Sequence, residues 1–143
     1  MRMVIASLLL LGIASIGVAG QKQAAPPACQ DEEAMVTDYE KGLQDLVGTV
    51  KKENLADFER TYHRKSCLTK LTLCVSVLDG AVACFDKAAQ DSSTPKEQAG
   101  AIAAKRDAYT KLKENVGHYR DSLKTTEADK DAKALIEKFE IHE

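Results

Sequence analysis

Residues 66–85 read SCLTKLTLCVSVLDGAVACF, and this stretch decides the fold class. Apolar and cysteine side chains recur in it every three or four residues, which is the spacing of one face of an α-helix. These positions are Cys67, Leu71, Cys74, Leu78, Ala81 and Phe85. The TLCVSVL segment also alternates and is rich in β-branched residues, so a strand is the alternative. We predict a helix over about 68–90.

The segments before this stretch show the same helical periodicity. An apolar stripe predicts a first helix over about 30–52, with acidic residues in its first turn and lysines in its last. The stripe consists of Val36, Tyr39, Leu43, Leu46 and Val50. Asn54 is a good N-cap for a short second helix. The apolar stripe of that helix consists of Leu55, Phe58 and Tyr62. It is out of phase with the next stripe, which predicts a break at about 63–66.

The segments after the stretch are also helical. Thr94-Pro95-Lys96-Glu97 has the form of a capping box with proline at the first helical position, and it predicts a helix over about 95–123 with Thr94 as its cap. Thr126 can start a last helix, whose apolar residues are Ala128, Ala132, Leu135, Ile136 and Phe139. Together these segments predict an all-α bundle of four to five helices, forming a single domain over 29–143.

The first twenty residues, MRMVIASLLLLGIASIGVAG, have the layout of a secretory signal peptide. Arg2 precedes an uncharged apolar run, and Val18-Ala19-Gly20 supplies the small residues of a cleavage site. The run is shorter than the ~20 apolar residues of a membrane-spanning helix. We therefore expect cleavage, secretion and no transmembrane segment in the mature chain. Residues 21–28, which include Pro26-Pro27, are expected to form a flexible lead-in.

All four cysteines of the chain follow the predicted signal peptide. An even number in that context predicts two disulfides. The spacing of Cys29, Cys67, Cys74 and Cys84 contains no CxxC pair, the usual form of a zinc site. We therefore expect disulfides, no metal and no cofactor.

Helix geometry limits how these cysteines can pair. On one unbroken helix Cys67 and Cys74 would be about 10.5 Å apart, whereas a disulfide needs Cα atoms within about 4.4–6.8 Å. Three alternatives remain: a turn at Asp79-Gly80, a helix that starts after Cys67, or thiols that stay free or pair between chains. We expect Cys29 to pair with Cys67, and Cys74 with Cys84.

The segment FERTYHRKSCLTKLTLCVSVLDGAVACF, residues 58–85, resembles the central segment of the insect twenty-seven-kilodalton haemolymph glycoprotein family. The likeness rests on Phe58, Tyr62, Cys67, Leu71, Cys74, Val75 and Cys84. The resemblance implies a secreted, helical, cysteine-containing protein without an established enzymatic activity. The chain has no Asn-x-Ser/Thr sequon.

The sequence shows no constellation of catalytic residues. It has no Gly-rich phosphate loop, GxSxG or HExxH motif, and His63, His118 and His142 are widely separated. The net charge of −2 does not favour nucleic-acid binding. We therefore expect a secreted, non-enzymatic helical protein of the haemolymph type or an extracellular interaction protein. It would bind an unknown protein partner or circulate as a structural or storage component. The alternative is a carrier of a small apolar ligand in the bundle core.

Overall fold

The computed structural model describes residues 29–141, which form five helices and no strand. The helices are α1 (Gln30–Lys52), α2 (Leu55–Arg60), α3 (His63–Gln90), α4 (Lys96–Thr125) and α5 (Asp129–Glu137). The prediction of a small all-α bundle is confirmed, and the alternative of a strand near TLCVSVL is wrong, because that segment lies inside α3. The signal peptide (1–20), the lead-in (21–28) and His142 lie outside the described residues.

α3 is the central helix and packs against α1 on one side and α4 on the other. The register with α1 is antiparallel, because Cys29 meets Cys84 and Gly42 meets Lys70. α4 also runs antiparallel to α3, as shown by the ion pairs Lys113–Asp79 and Arg106–Asp86. α5 lies across one end of this three-helix layer and contacts all four other helices.

The break between α2 and α3 falls earlier than the predicted 63–66. Tyr62 adopts the left-handed conformation, with φ 55° and ψ 31°, and so terminates α2. The amides of Lys65 and Ser66 then donate to the Tyr62 carbonyl at 3.0 and 3.2 Å, which starts α3 at His63 rather than near residue 68. Asp79-Gly80 makes no turn, and the helix continues through it.

The predicted helix caps have different outcomes. Thr126 caps the end of α4 instead of starting α5, whose N-cap residue is Ala128. Asn54 caps α2 as predicted, with its side-chain oxygen accepting the Asp57 amide at 3.0 Å. Thr94 does not cap α4, because its hydroxyl instead donates to the Ala88 carbonyl at 2.7 Å. Pro95 occupies the N-cap position of α4 without a side-chain bond. Thr94 therefore satisfies the C-terminal end of α3, and the predicted capping box is not formed.

The core lies along the inner faces of α1, α3 and α4 and beneath α5. Its fully buried side chains of largest volume are Phe58, Phe85, Leu43, Leu78, Leu123, Val36, Val50 and Val116. The predicted stripe of α3 is buried at all six positions, from Cys67 to Phe85. Because α3 supplies one side of every major packing contact, its apolar period organises the whole domain.

Candidate functional site

The structure joins Cys29 to Cys84, with their Cα atoms 5.8 Å apart. The predicted pairing of Cys29 with Cys67 and of Cys74 with Cys84 is therefore wrong. The error came from assuming that all four cysteines pair within one chain. α3 is unbroken from His63 to Gln90, so helix geometry keeps Cys67, Cys74 and Cys84 too far apart to bridge one another. Cys29 can form a disulfide with only one of them.

Cys67 and Cys74 are free thiols on the inner face of α3, and both are fully buried. Desolvation raises the pKa of Cys67 to about 12, against a smaller lowering by the nearby charge of Lys70. Desolvation, with a smaller contribution from Glu40, raises the pKa of Cys74 to about 11. Neutral, buried thiols are poor nucleophiles and behave as small apolar side chains. Both residues therefore belong to the core and not to a reactive site.

A polar network lies close to the disulfide. Oε1 of Glu33 on α1 accepts from Lys105 Nζ and, at 3.2 Å, from the Tyr109 hydroxyl, both on α4. The Lys105 ammonium also lies 5.9 Å from the centroid of the Phe85 ring. Lys105 interrupts the apolar spacing of α4 between Ile102 and Tyr109, and this network explains its position. The disulfide and the network together hold the start of α1 against α3 and α4.

The bundle interior is the place where a small apolar ligand would have to lie. The apolar cavity there has a volume of about 10 Å³ and lies between α1, α3, α4 and α5. Its lining residues are Leu43, Val47, Cys67, Leu71, Tyr119, Leu123, Leu135, Ile136 and Phe139. Ligand pockets in proteins measure about 300–1,000 Å³. This cavity has room for about one water molecule.

An open groove of about 330 Å³ lies at the break between α2 and α3. Phe58, which is buried, and Leu68 form its apolar part, and Tyr62 lies at its edge with 74% of its surface exposed. Glu59, Arg64, Lys65 and Asp129 complete the lining. We call this feature the hinge groove.

Polar contacts hold the walls of the hinge groove in place. Glu53, the C-cap residue of α1, has its Oε2 atom 2.6 Å from Nε2 of His63, an ion-pair distance without the angles of a hydrogen bond. Arg64 donates to the Glu127 carbonyl at 3.0 Å and lies 3.3 Å from Asp129 Oδ1. These contacts tie the start of α3 to the end of α1 and to the start of α5.

Sequence reasoning missed the hinge groove. It assigned Tyr62 to the apolar stripe of the second helix, where its ring would have been buried. The available signal was the phase mismatch beside Tyr62, since an aromatic residue at a helix break is free to point outward. His63 lies at the start of α3. His118 is exposed on α4 with its ring 6.2 Å from that of Tyr119.

Residues 29–141 contain no group of three or more His, Cys, Asp or Glu side chains arranged to hold a metal ion. Within the same residues, one helix, α3, is long and apolar enough to cross a membrane by length and composition, a property that core helices share.

Comparison of the chain with protein-family models, with curated proteins and with solved structures finds no match.

Proposed function

We propose that this chain is a secreted, non-enzymatic helical protein of the haemolymph type that works by binding another macromolecule. The Cys29–Cys84 bridge is the observation that supports secretion. Structural disulfides persist in oxidising compartments and are rare in the cytosol. The signal-peptide layout of residues 1–20 and the resemblance over 58–85 support the same compartment.

The hinge groove supports binding as the mode of action. Tyr62 exposes 74% of its surface beside an apolar floor formed by Phe58 and Leu68. Tyrosine is enriched among the residues that dominate the binding energy of protein interfaces. The interior cavity of about 10 Å³, by contrast, favours a solid core over ligand carriage.

Expression of the full chain with a C-terminal tag in cultured insect cells tests the compartment. We expect tagged protein in the medium, an N-terminus at Gln21, and one disulfide with two free thiols by mass spectrometry. Leu9→Arg, which places a charge inside the apolar run, is the matched control and should keep the protein in the cells. Wild-type protein retained in the cells with residues 1–20 intact would contradict the proposal.

Native mass spectrometry of the secreted protein tests the mode of action. We expect no small molecule bound to the polypeptide, because the core cavity has no room for a lipid. A co-purifying small apolar molecule that survives gentle desalting would favour the carrier function instead.

A further inference from the structure

Tyr62 occupies a backbone position that favours glycine. It follows Thr61, the C-cap residue of α2, and its φ of 55° is the left-handed conformation with which helices commonly end. Among residues 29–141 it is the one non-glycine residue with positive φ. A side chain with a Cβ atom is strained in this conformation, and glycine is not.

The exposure of the Tyr62 ring makes this residue choice harder to explain by folding alone. A buried ring could offset the backbone strain through its apolar contacts, but 74% of Tyr62 remains exposed. Strained residues that the fold does not require cluster at functional sites. The position therefore points to a contact that the Tyr62 ring makes outside its own chain.

The charges beside the hinge groove indicate what that contact is. Arg64 and Asp129 neutralise each other at 3.3 Å. Glu59 and Lys65 also line the groove, and neither has an ion-pair partner within residues 29–141. The groove thus carries an unpaired acid, Glu59, and an unpaired base, Lys65, and the exposed Tyr62 lies between them in the sequence.

The geometry points to a second copy of this chain as the occupant of the hinge groove, in a two-fold symmetric dimer. Two-fold interfaces are self-complementary, so that residue i of one copy meets residue j of the other and the reverse contact occurs as well. Tyr62 of each copy would enter the groove of the other, beside Leu68. Glu59 of each copy would face Lys65 of the other. This inference rests on the proposed function, because the same groove carries the binding.

The symmetry makes the charge pattern testable with single substitutions. Glu59→Lys puts two bases in each copy, and both cross-interface pairs in its homodimer become repulsive. Lys65→Glu has the same effect with two acids. When the two variants are mixed, every pair is again one acid and one base, so a heterodimer is favoured.

Sedimentation velocity over a concentration series measures this directly. Wild type should dimerise on concentration, each single variant should associate at least about tenfold more weakly, and an equimolar mixture of the two should regain the wild-type behaviour. The double variant Glu59→Lys/Lys65→Glu should also dimerise. Lys111→Glu and Glu114→Lys, exposed charge reversals on α4, are matched controls and should leave association unchanged.

Tyr62→Gly separates association from folding. It removes the ring and relieves the backbone, so we expect a melting temperature equal to or above that of wild type at a concentration where wild type is monomeric. At higher concentration we expect loss of the dimer. Circular dichroism confirms that each variant is folded.

Three results would overturn the inference: a wild type that stays monomeric at every concentration, single charge variants that dimerise like wild type, or a mixture that does not associate. A monomeric wild type that is nevertheless secreted would leave the proposed function standing and assign the groove to a different protein. An intracellular protein that dimerises as described would overturn the proposed function alone.

Discussion

Removal of the Cys29–Cys84 bridge should destabilise the domain by about 4 kcal/mol. The bridge closes a loop of 55 residues. In the chain-entropy account, a crosslink lowers the entropy of the unfolded chain and so stabilises the folded state. This stabilisation is about 3 kcal/mol for a 15-residue loop and about 4.7 kcal/mol for a 100-residue loop, and the present loop lies between them. Reduction removes this restriction and leaves the native contacts of the bundle in place.

This loss corresponds to a large shift in melting temperature. Unfolding entropy is about 2.1 cal/mol/K per residue near 60 °C. For residues 29–141 the total is about 0.24 kcal/mol/K. A loss of about 4 kcal/mol should therefore lower the melting temperature by about 17 °C.

Urea denaturation followed by circular dichroism, with and without reductant, provides the assay. The free energy of unfolding of wild type should fall by about 4 kcal/mol on reduction, whereas that of Cys29→Ala/Cys84→Ala should not change with reductant. Cys67→Ala/Cys74→Ala is the matched control. Its free energy of unfolding is lower from the start because the core loses two buried sulfurs, but it should fall on reduction by the same amount as that of wild type. The reasoning fails if this control loses its response, or if peptide mapping without reduction links Cys74 to Cys84.

Three further changes probe the helices and the core. Gly80→Ala should raise the free energy of unfolding by about 1 kcal/mol, since the added Cβ meets nothing within 4 Å. Gly42→Ala should gain less in the same urea titration, because its Cβ would lie 3.3 Å from a lysine ammonium; equal gains would refute the steric argument. Cys67 and Cys74 should resist alkylation at pH 8 in the native protein and react in urea. Because folding raises their pKa values, the contribution of the two neutral thiols to the free energy of unfolding is fully present below about pH 8.5. It is lost as the pH rises towards 11–12. Glu33→Gln should lower stability by about 1 kcal/mol in low salt and less in high salt, as thermal melts at two ionic strengths can measure.

The bounds of a helix could be predicted from the sequence wherever the helix buries an apolar stripe in the core. The first helix was predicted over 30–52 and is Gln30–Lys52, and the fourth was predicted over 95–123 and is Lys96–Thr125. The start of α3 was missed because His63 and Arg64 are held there by polar contacts with Glu53 and Asp129, which leave no apolar periodicity.

The hinge groove could not be derived in the same way. Its lining comes from α2, α3 and α5, and Asp129 is 61 residues or more from the other lining residues. The left-handed conformation of Tyr62 is also not favoured by its residue type, since tyrosine lacks the freedom of glycine. Local sequence therefore does not specify the exposure of the Tyr62 ring.

The amino-acid sequence by itself determined that this chain is helical and which face of each helix is buried, because the period of 3.6 residues is a local property of the backbone. It also determined that Cys67, Cys74 and Cys84 cannot bridge one another on one helix. Only the tertiary structure decided which cysteine meets Cys29. The antiparallel register of α1 against α3 brings Cys84 within 5.8 Å and turns Cys67 and Cys74 into the core, and that register depends on side-chain packing between segments far apart in the chain.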